Sequence, residues 1–142
     1  MDRATWTTAT SPSPPPAQGA PFFGVRTTPA DVLVAELDGV IAGYISLGHP
    51  TRLHASDHVL QVTGLAVDPG VQGRGAGRAL LEAGAAEARR RGARRLTLRV
   101  LGPNLAARRL YEACGFVVEG VLRGEFHLDG QDVDDVLMAR AL

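Results

Sequence analysis

Seven consecutive residues, Gln72-Gly73-Arg74-Gly75-Ala76-Gly77-Arg78, alternate glycine with arginine and small side chains. An apolar run, Leu60 to Val67, precedes them and breaks at Asp68-Pro69-Gly70; a helical pattern follows. A glycine-rich turn that opens a helix is suited to anions, because the first-turn amides have no intrahelical partner and point beyond the N-terminus. Glycine lets a diphosphate come close to the backbone, and Arg74 and Arg78 add charge at the same end. The stretch predicts a phosphate-bearing ligand. A tight turn that needs glycine only for packing is the other reading that fits it. Two commoner phosphate motifs are absent. The chain has no lysine for a P-loop, and the dinucleotide fingerprint begun at Gly73 meets Arg78 where a glycine belongs, or Leu80 if begun at Gly75.

The other residues with chemistry to offer are few. Cys114 is the one cysteine, so no intrachain disulfide framework is possible. It stands just before Gly115 at a predicted helix end and reads as a small buried filler, with no histidine placed near it by local pattern. His49 and His54 lie in a loop over residues 48–57 and lack ligand spacing with cysteines or acids, so no metal is expected.

Several elements must position these residues. Val32 to Leu37 and Val40 to Leu47 predict a hairpin about Asp38-Gly39. The strand before the glycine turn leads into a helix whose apolar face is read from Ala76, Ala79, Leu80, Ala83 and Ala86. Arg89, Arg90 and Arg91 suit its C-terminal dipole, and Gly92 its C′ position. Leu96, Leu98 and Val100 alternate with Arg95, Thr97 and Arg99, a second strand that completes a right-handed βαβ unit with parallel strands. Asn104 caps a short helix, 105–113, with Leu105, the Arg109 stem and Leu110 toward the core. Residues 116–128 and 131–141 predict a long hairpin about Asp129-Gly130. The fold class is α/β: a mixed, twisted sheet with a central βαβ unit and helices on both faces. Its ligand site is expected at the C-terminal ends of the parallel strands.

With 142 residues, the chain is long enough for one domain with a proper core. Residues 1–21, with Ser11-Pro12-Ser13-Pro14-Pro15-Pro16, read as a disordered or polyproline-like tail, and residues 22–142 as the folded domain. Net charge is zero but unevenly spread: residues 73–110 carry ten arginines against Glu82 and Glu87. Aromatic residues do not interleave with those arginines, so nucleic acid ranks low as a partner. No apolar run reaches membrane-spanning length and the N-terminus lacks a signal-peptide core, which makes the cytoplasm the expected location.

Two ordered motifs carry a resemblance. Gln72-x-x-Gly75-x-Gly77 resembles the Q/R-x-x-G-x-G/A acetyl-coenzyme A motif of the GNAT N-acetyltransferases. Asn104-x-x-Ala107-x-x-Leu110-Tyr111-Glu112-x-x-Gly115-Phe116 resembles that family's second signature. The resemblance covers roughly Asp31 to Leu142. It implies acetyl-coenzyme A as co-substrate, with backbone groups of Leu65, Ala66 and Val67 on the pantetheine arm. The amides of Gln72, Gly73, Arg74, Gly75, Ala76, Gly77 and Arg78 would hold the diphosphate. Asn104 would be a cap and a coenzyme contact, and Tyr111 the general acid for the departing thiol. Gly64 is either a bulge site that splays the strand or a packing glycine.

No general base carries over. Gln61 and Arg99 occupy the two positions where relatives carry a glutamate. Glu36, Glu125, Asp134 and Asp135 remain candidates for the base but read more readily as surface or hairpin charges, and a water chain or an amine arriving neutral serves equally well. The implied activity is transfer of an acetyl group to a primary amine of a small molecule or of a peptide or protein. The alternative is a catalytically weak acyl-coenzyme A-binding or protein-interaction module. The family's usual strand and two helices before the first hairpin find no room in the sequence. An open acceptor side and a homodimer or other partner are therefore expected, the alternative being a shortened form begun downstream of the true start.

Overall fold

A computed structural model describes residues 29–71, 73 and 75–142. The tail read over residues 1–21 and the expectations for Gln72 and Arg74 lie outside the described residues. A 3₁₀ turn, Pro29–Asp31, leads into strands β1 (Val32–Leu37) and β2 (Val40–Gly48); after a second turn come β3 (Val59–Val67), α1 (Ala76–Arg90), β4 (Arg95–Leu101), α2 (Leu105–Ala113), β5 (Val117–Leu128) and β6 (Gln131–Ala141). The two tight hairpins form where aspartate–glycine pairs allow them. Asp38 and Gly39, and Asp129 and Gly130, all take positive φ, the conformation of the two-residue turn that matches strand twist.

The strands form one sheet in the order β1-β2-β3-β4-β6-β5. Among the described strands only β3 and β4 are a directly paired parallel couple, and they pair only at their beginnings, Val59–Gln61 against Arg95–Thr97. Beyond that, β3 stays with β2 as far as Val67 opposite Gly43, whereas β4 follows β6 as far as Leu101 opposite Asp135. The sheet thus parts into two halves at its centre. A register shift against Ser46–Leu47 leaves Thr63 as an extra residue in β3, and such a bulge bends a strand away from its neighbour. Gly64 comes one residue later. A Cβ there would stand 2.7 Å from the Ser46 hydroxyl and 3.3 Å from the Tyr44 ring, so packing also demands glycine.

Both helices end as their glycines predict. Gly92 (φ +87°) and Gly115 (φ +89°) stand at the C′ positions. Ala93 N–H donates to the Ala88 carbonyl at 2.9 Å and Phe116 N–H to the Tyr111 carbonyl at 3.0 Å, the paired bonds of a Schellman ending. The Asn104 side chain accepts from Ala107 N–H at 3.2 Å.

Three expectations need correction. The buried face of α1 is Leu80, Leu81, Gly84, Ala85 and Ala88; Ala79, Ala83 and Ala86 are exposed. Alanine weakly marks a face, and the tightest contact belongs to Gly84, where a Cβ would stand 2.8 Å from Ile45 Cδ1. In α2, Leu105 and Arg109 are exposed while Ala107, Leu110 and Tyr111 pack on the core. The described helices also share one face of the sheet. A Cβ on Gly77 of α1 would lie 3.0 Å from Leu110 Cδ2 of α2, and both helices join one core with Ile45, Leu96, Leu98, Val136 and Met138. The crossovers β3-α1-β4 and β4-α2-β5 step the same way along the sheet, and right-handed crossovers in one direction place their helices on one side.

Candidate functional site

Parting β3 from β4 opens a cleft of about 510 Å³. Leu65, Ala66 and Val67 form one wall, Arg99 and Val100 the other. Gly73, Gly75, Ala76, Gly77 and Arg78 close one end, and Asn104, Ala106, Ala107, Leu110 and Tyr111 come from α2. Every described residue expected at the site from the sequence therefore borders this one cleft.

The wall at β3 depends on a glycine in the neighbouring strand. A Cβ on Gly43 would stand 2.5 Å from the Ala66 carbonyl oxygen, so β2 can hold β3 in place only with glycine at that position. Asp68 then ends the strand: its side chain accepts from Gly70 N–H at 2.8 Å, and its carbonyl from Val71 N–H at 3.0 Å.

The closed end fits an anionic ligand. Gly73 and Gly75 have φ of +82° and +81°, and a Cβ on either would meet nothing within 4 Å. Their glycine identity answers a backbone requirement and leaves open space over the turn. Gly75 stands at the N-cap of α1 with no side-chain cap, so the first-turn amides remain available to an oxyanion. Gly77 differs: its missing side chain makes room for Leu110, which places α2 beside α1.

Tyr111 is held edge-on to Phe116, with ring centroids 6.0 Å apart at 62°. Burial pushes its phenol up to about 12, which keeps it protonated through the neutral range. Burial likewise raises the Cys114 thiol, contrary to what a nucleophile requires.

One carboxylate differs from its expected surroundings, and Asp134 is the hairpin charge the sequence suggests. Asp135 is buried rather than a surface charge; Arg99 donates to its Oδ2 through Nε at 2.7 Å and through Nη2. Asp134 accepts from Gly124 N–H and Arg123, both at 3.0 Å, and the first of these bonds chiefly holds its carboxyl below the usual range. Glu36 and Glu125 are exposed. No carboxylate is among the described residues that line the cleft. Among the described residues, no group of three or more His, Cys, Asp or Glu side chains is placed to hold a metal, and no helix is long and apolar enough to cross a membrane. Sequence reasoning missed Val100, Ala106, Ala107 and Leu110 as lining residues, since small and apolar side chains carry no chemical signal, and it placed Arg99 only as the occupant of a glutamate position.

A mixed sheet opened at a parallel pair, with a glycine turn and helix N-terminus at the mouth, defines an acyl-coenzyme A-type transferase fold. The Acetyltransferase (GNAT) family model matches residues 2–116, a match that begins ahead of the Asp31 from which the motifs are legible. The chain belongs to that family. A mycothiol acetyltransferase of Thermobispora bispora is 40% identical over 104 residues, 70% of this chain but 32% of the relative. The chain thus spans about a third of that relative's length. Among solved structures, a ribosomal-protein-alanine N-acetyltransferase from Brucella melitensis matches with a TM-score of 0.72 at 31% identity, over 78% of this chain and 68% of that one. A putative acetyltransferase from Salmonella typhimurium, solved with acetyl-coenzyme A, matches with a TM-score of 0.73 at 32% identity, over 78% of this chain and 64% of that one.

Proposed function

We propose that the cleft is the site of an N-acetyltransferase that moves an acetyl group from acetyl-coenzyme A to a primary amine of a small molecule or of a peptide or protein. The observation that carries this reading is the cleft itself, which joins a glycine turn at a helix N-terminus to a partly buried tyrosine that stays protonated in the neutral range. The glycine turn and Arg78 take the diphosphate; the donor's arm runs along Leu65–Val67, where β4 has turned away. Asn104 caps α2 through its side-chain oxygen, which leaves its amide hydrogens for the coenzyme.

The neutral amine attacks the thioester carbonyl, and a backbone N–H of the Leu65–Val67 stretch stabilises the oxyanion. The C–S bond then breaks as the sulfur takes a proton from Tyr111, and the proton lost by the attached nitrogen returns through water to the phenolate. The thiolate of an ordinary thiol, with pKa ~8.5, is a weaker base than a phenolate in water. A thiolate formed in the same desolvated cleft is raised as the phenol is, and positioning makes the transfer efficient. Because no described lining residue is a carboxylate, deprotonation falls to water or precedes binding. The expected signature is a kcat/KM that rises with pH in proportion to the neutral fraction of the amine.

The test mixes acetyl-coenzyme A with a panel of primary amines and follows thiol release, with mass spectrometry of the products. Release that depends on an amine and yields its acetamide supports the reading. Thiol release at the rate of spontaneous hydrolysis for every amine would reduce the chain to an acyl-coenzyme A-binding module.

A further inference from the structure

The cleft draws its lining from both faces of the sheet, and the two faces differ in charge and in what they offer. Leu96, Leu98 and Val100 are buried under the helices, so alternation along β4 turns Arg95, Thr97 and Arg99 to the opposite face. On the helix side the cleft meets the glycine turn, Arg78 and Tyr111; on the other side the charged side chain that lines it is Arg99. If the helix side takes the donor, an acceptor must reach the thioester from the face that carries Arg99.

Asp135 tethers Arg99 there. Asp135 has a side chain only 3% exposed, against 49% for Arg99. Nε and Nη2 both donate to Asp135 Oδ2. These bonds use one edge of the planar guanidinium and leave the Nη1 edge for a second oxyanion. A cation whose task was only to neutralise a buried aspartate would not need to border the cleft. A guanidinium held in one orientation beside a reacting centre is suited to a planar, two-oxygen anion. It also disfavours an acceptor whose second charged group is a cation.

We infer that Arg99 is the acceptor-recognition residue of this cleft, that Asp135 is the positioning residue that aims it, and that the acceptor carries a carboxylate close to its amine. The inference rests on the transferase reading given above and adds the chemical class of the acceptor.

Rates of acetyl transfer to phenylalanine and leucine would be compared with rates for the amines left when each loses its carboxyl group and for their methyl esters, all per concentration of neutral amine. The free acids should be preferred by about ten- to a hundredfold, the scale of a charge-assisted hydrogen bond. The double variant Arg99→Gln with Asp135→Asn removes both charges without leaving a buried one unpaired, and should abolish that preference. Circular dichroism checks that it folds. Peptide amides beginning Gly-Asp and Gly-Asn separate an acidic neighbouring side chain from a free amino acid as the source of the carboxylate; discrimination in either set supports the inference. A second readout needs no turnover: calorimetry of the coenzyme A-saturated protein with N-acetylphenylalanine and with N-acetylphenethylamine. Acetylation of amines without any carboxylate preference would leave the transferase reading intact and overturn this inference. Absence of all transfer would sink the transferase reading, and the calorimetric arm would still decide whether Arg99 holds a carboxylate.

Discussion

Between pH 10 and 12 the folded protein keeps a proton on Tyr111 that the unfolded chain has released, because burial pushes this phenol up from 10.0 to about 12. The sign follows from linkage: where the folded state binds more protons, stability falls as pH rises. The contribution, about 2–3 kcal/mol for such a shift, is complete below pH 10 and lost through about pH 12. Urea melts at pH 9 and pH 11.5 should show a steeper loss for the wild type than for Tyr111→Phe; equal losses would mean the phenol is solvated. In turnover, Tyr111→Phe retains the ring packed on Phe116 and removes the proton, so kcat should drop by roughly 10²-fold with coenzyme affinity nearly unchanged. An unaltered kcat would leave Tyr111 as a packing residue. The single residues legible in the sequence are those whose chemistry is local: Asn104 as a cap, Gly92 and Gly115 as helix ends, Tyr111 within its motif. The Arg99–Asp135 pair was not legible. Its members are 36 positions apart, and the β4–β6 register alone brings them together.

The elements that shape the cleft are β2, β3 and α1, and each relies on a missing side chain. Gly43→Ala would drive a Cβ against the Ala66 carbonyl, 2.5 Å away in the present packing, with little freedom for backbone to yield. A loss of stability of about 1–3 kcal/mol is expected, together with weaker acetyl-coenzyme A binding because the same shift moves the cleft wall; chemical denaturation and calorimetry would measure the two. Gly75→Glu acts differently. It places bulk and negative charge over open amides and forces a non-glycine residue to φ +81°, so coenzyme binding should be lost while the far-ultraviolet spectrum stays near native. Wild-type affinity in that variant would remove the diphosphate from this turn. Gly77→Glu is not an equivalent test, since Leu110 fills the space beside Gly77 and the helix pair would be disrupted. Strand and helix positions were readable because turns at Asp38-Gly39 and Asp129-Gly130 and the apolar alternation of β4 are strong local signals. The buried face of α1 was not, since alanine and glycine mark it too faintly to distinguish Ala83 from Gly84.

Across the whole molecule, the sheet consists of two antiparallel halves joined by a short parallel contact, and the join is where the sheet opens. Placing both described helices on one face required the sheet order, since β5 lies beyond β6, and no local pattern reveals that. The arginine surplus of residues 73–110 is likewise reorganised by the fold. Arg90 and Arg91 bond Glu87, whose carboxyl they hold down at about 2; Arg95 bonds Glu119 and Arg99 bonds Asp135. Arg78 remains at the cleft mouth. This distribution suits a small anionic ligand better than a long polyanion. Backbone hydrogen exchange with and without acetyl-coenzyme A tests the account most directly, because it needs no knowledge of the acceptor. The amides of Leu65–Val67 and of residues 73–78 should gain protection together on addition of acetyl-coenzyme A, with little change in the β5–β6 hairpin tip around Asp129 and Gly130. Protection confined to another surface, or none at saturating acetyl-coenzyme A, would contradict the assignment of the cleft.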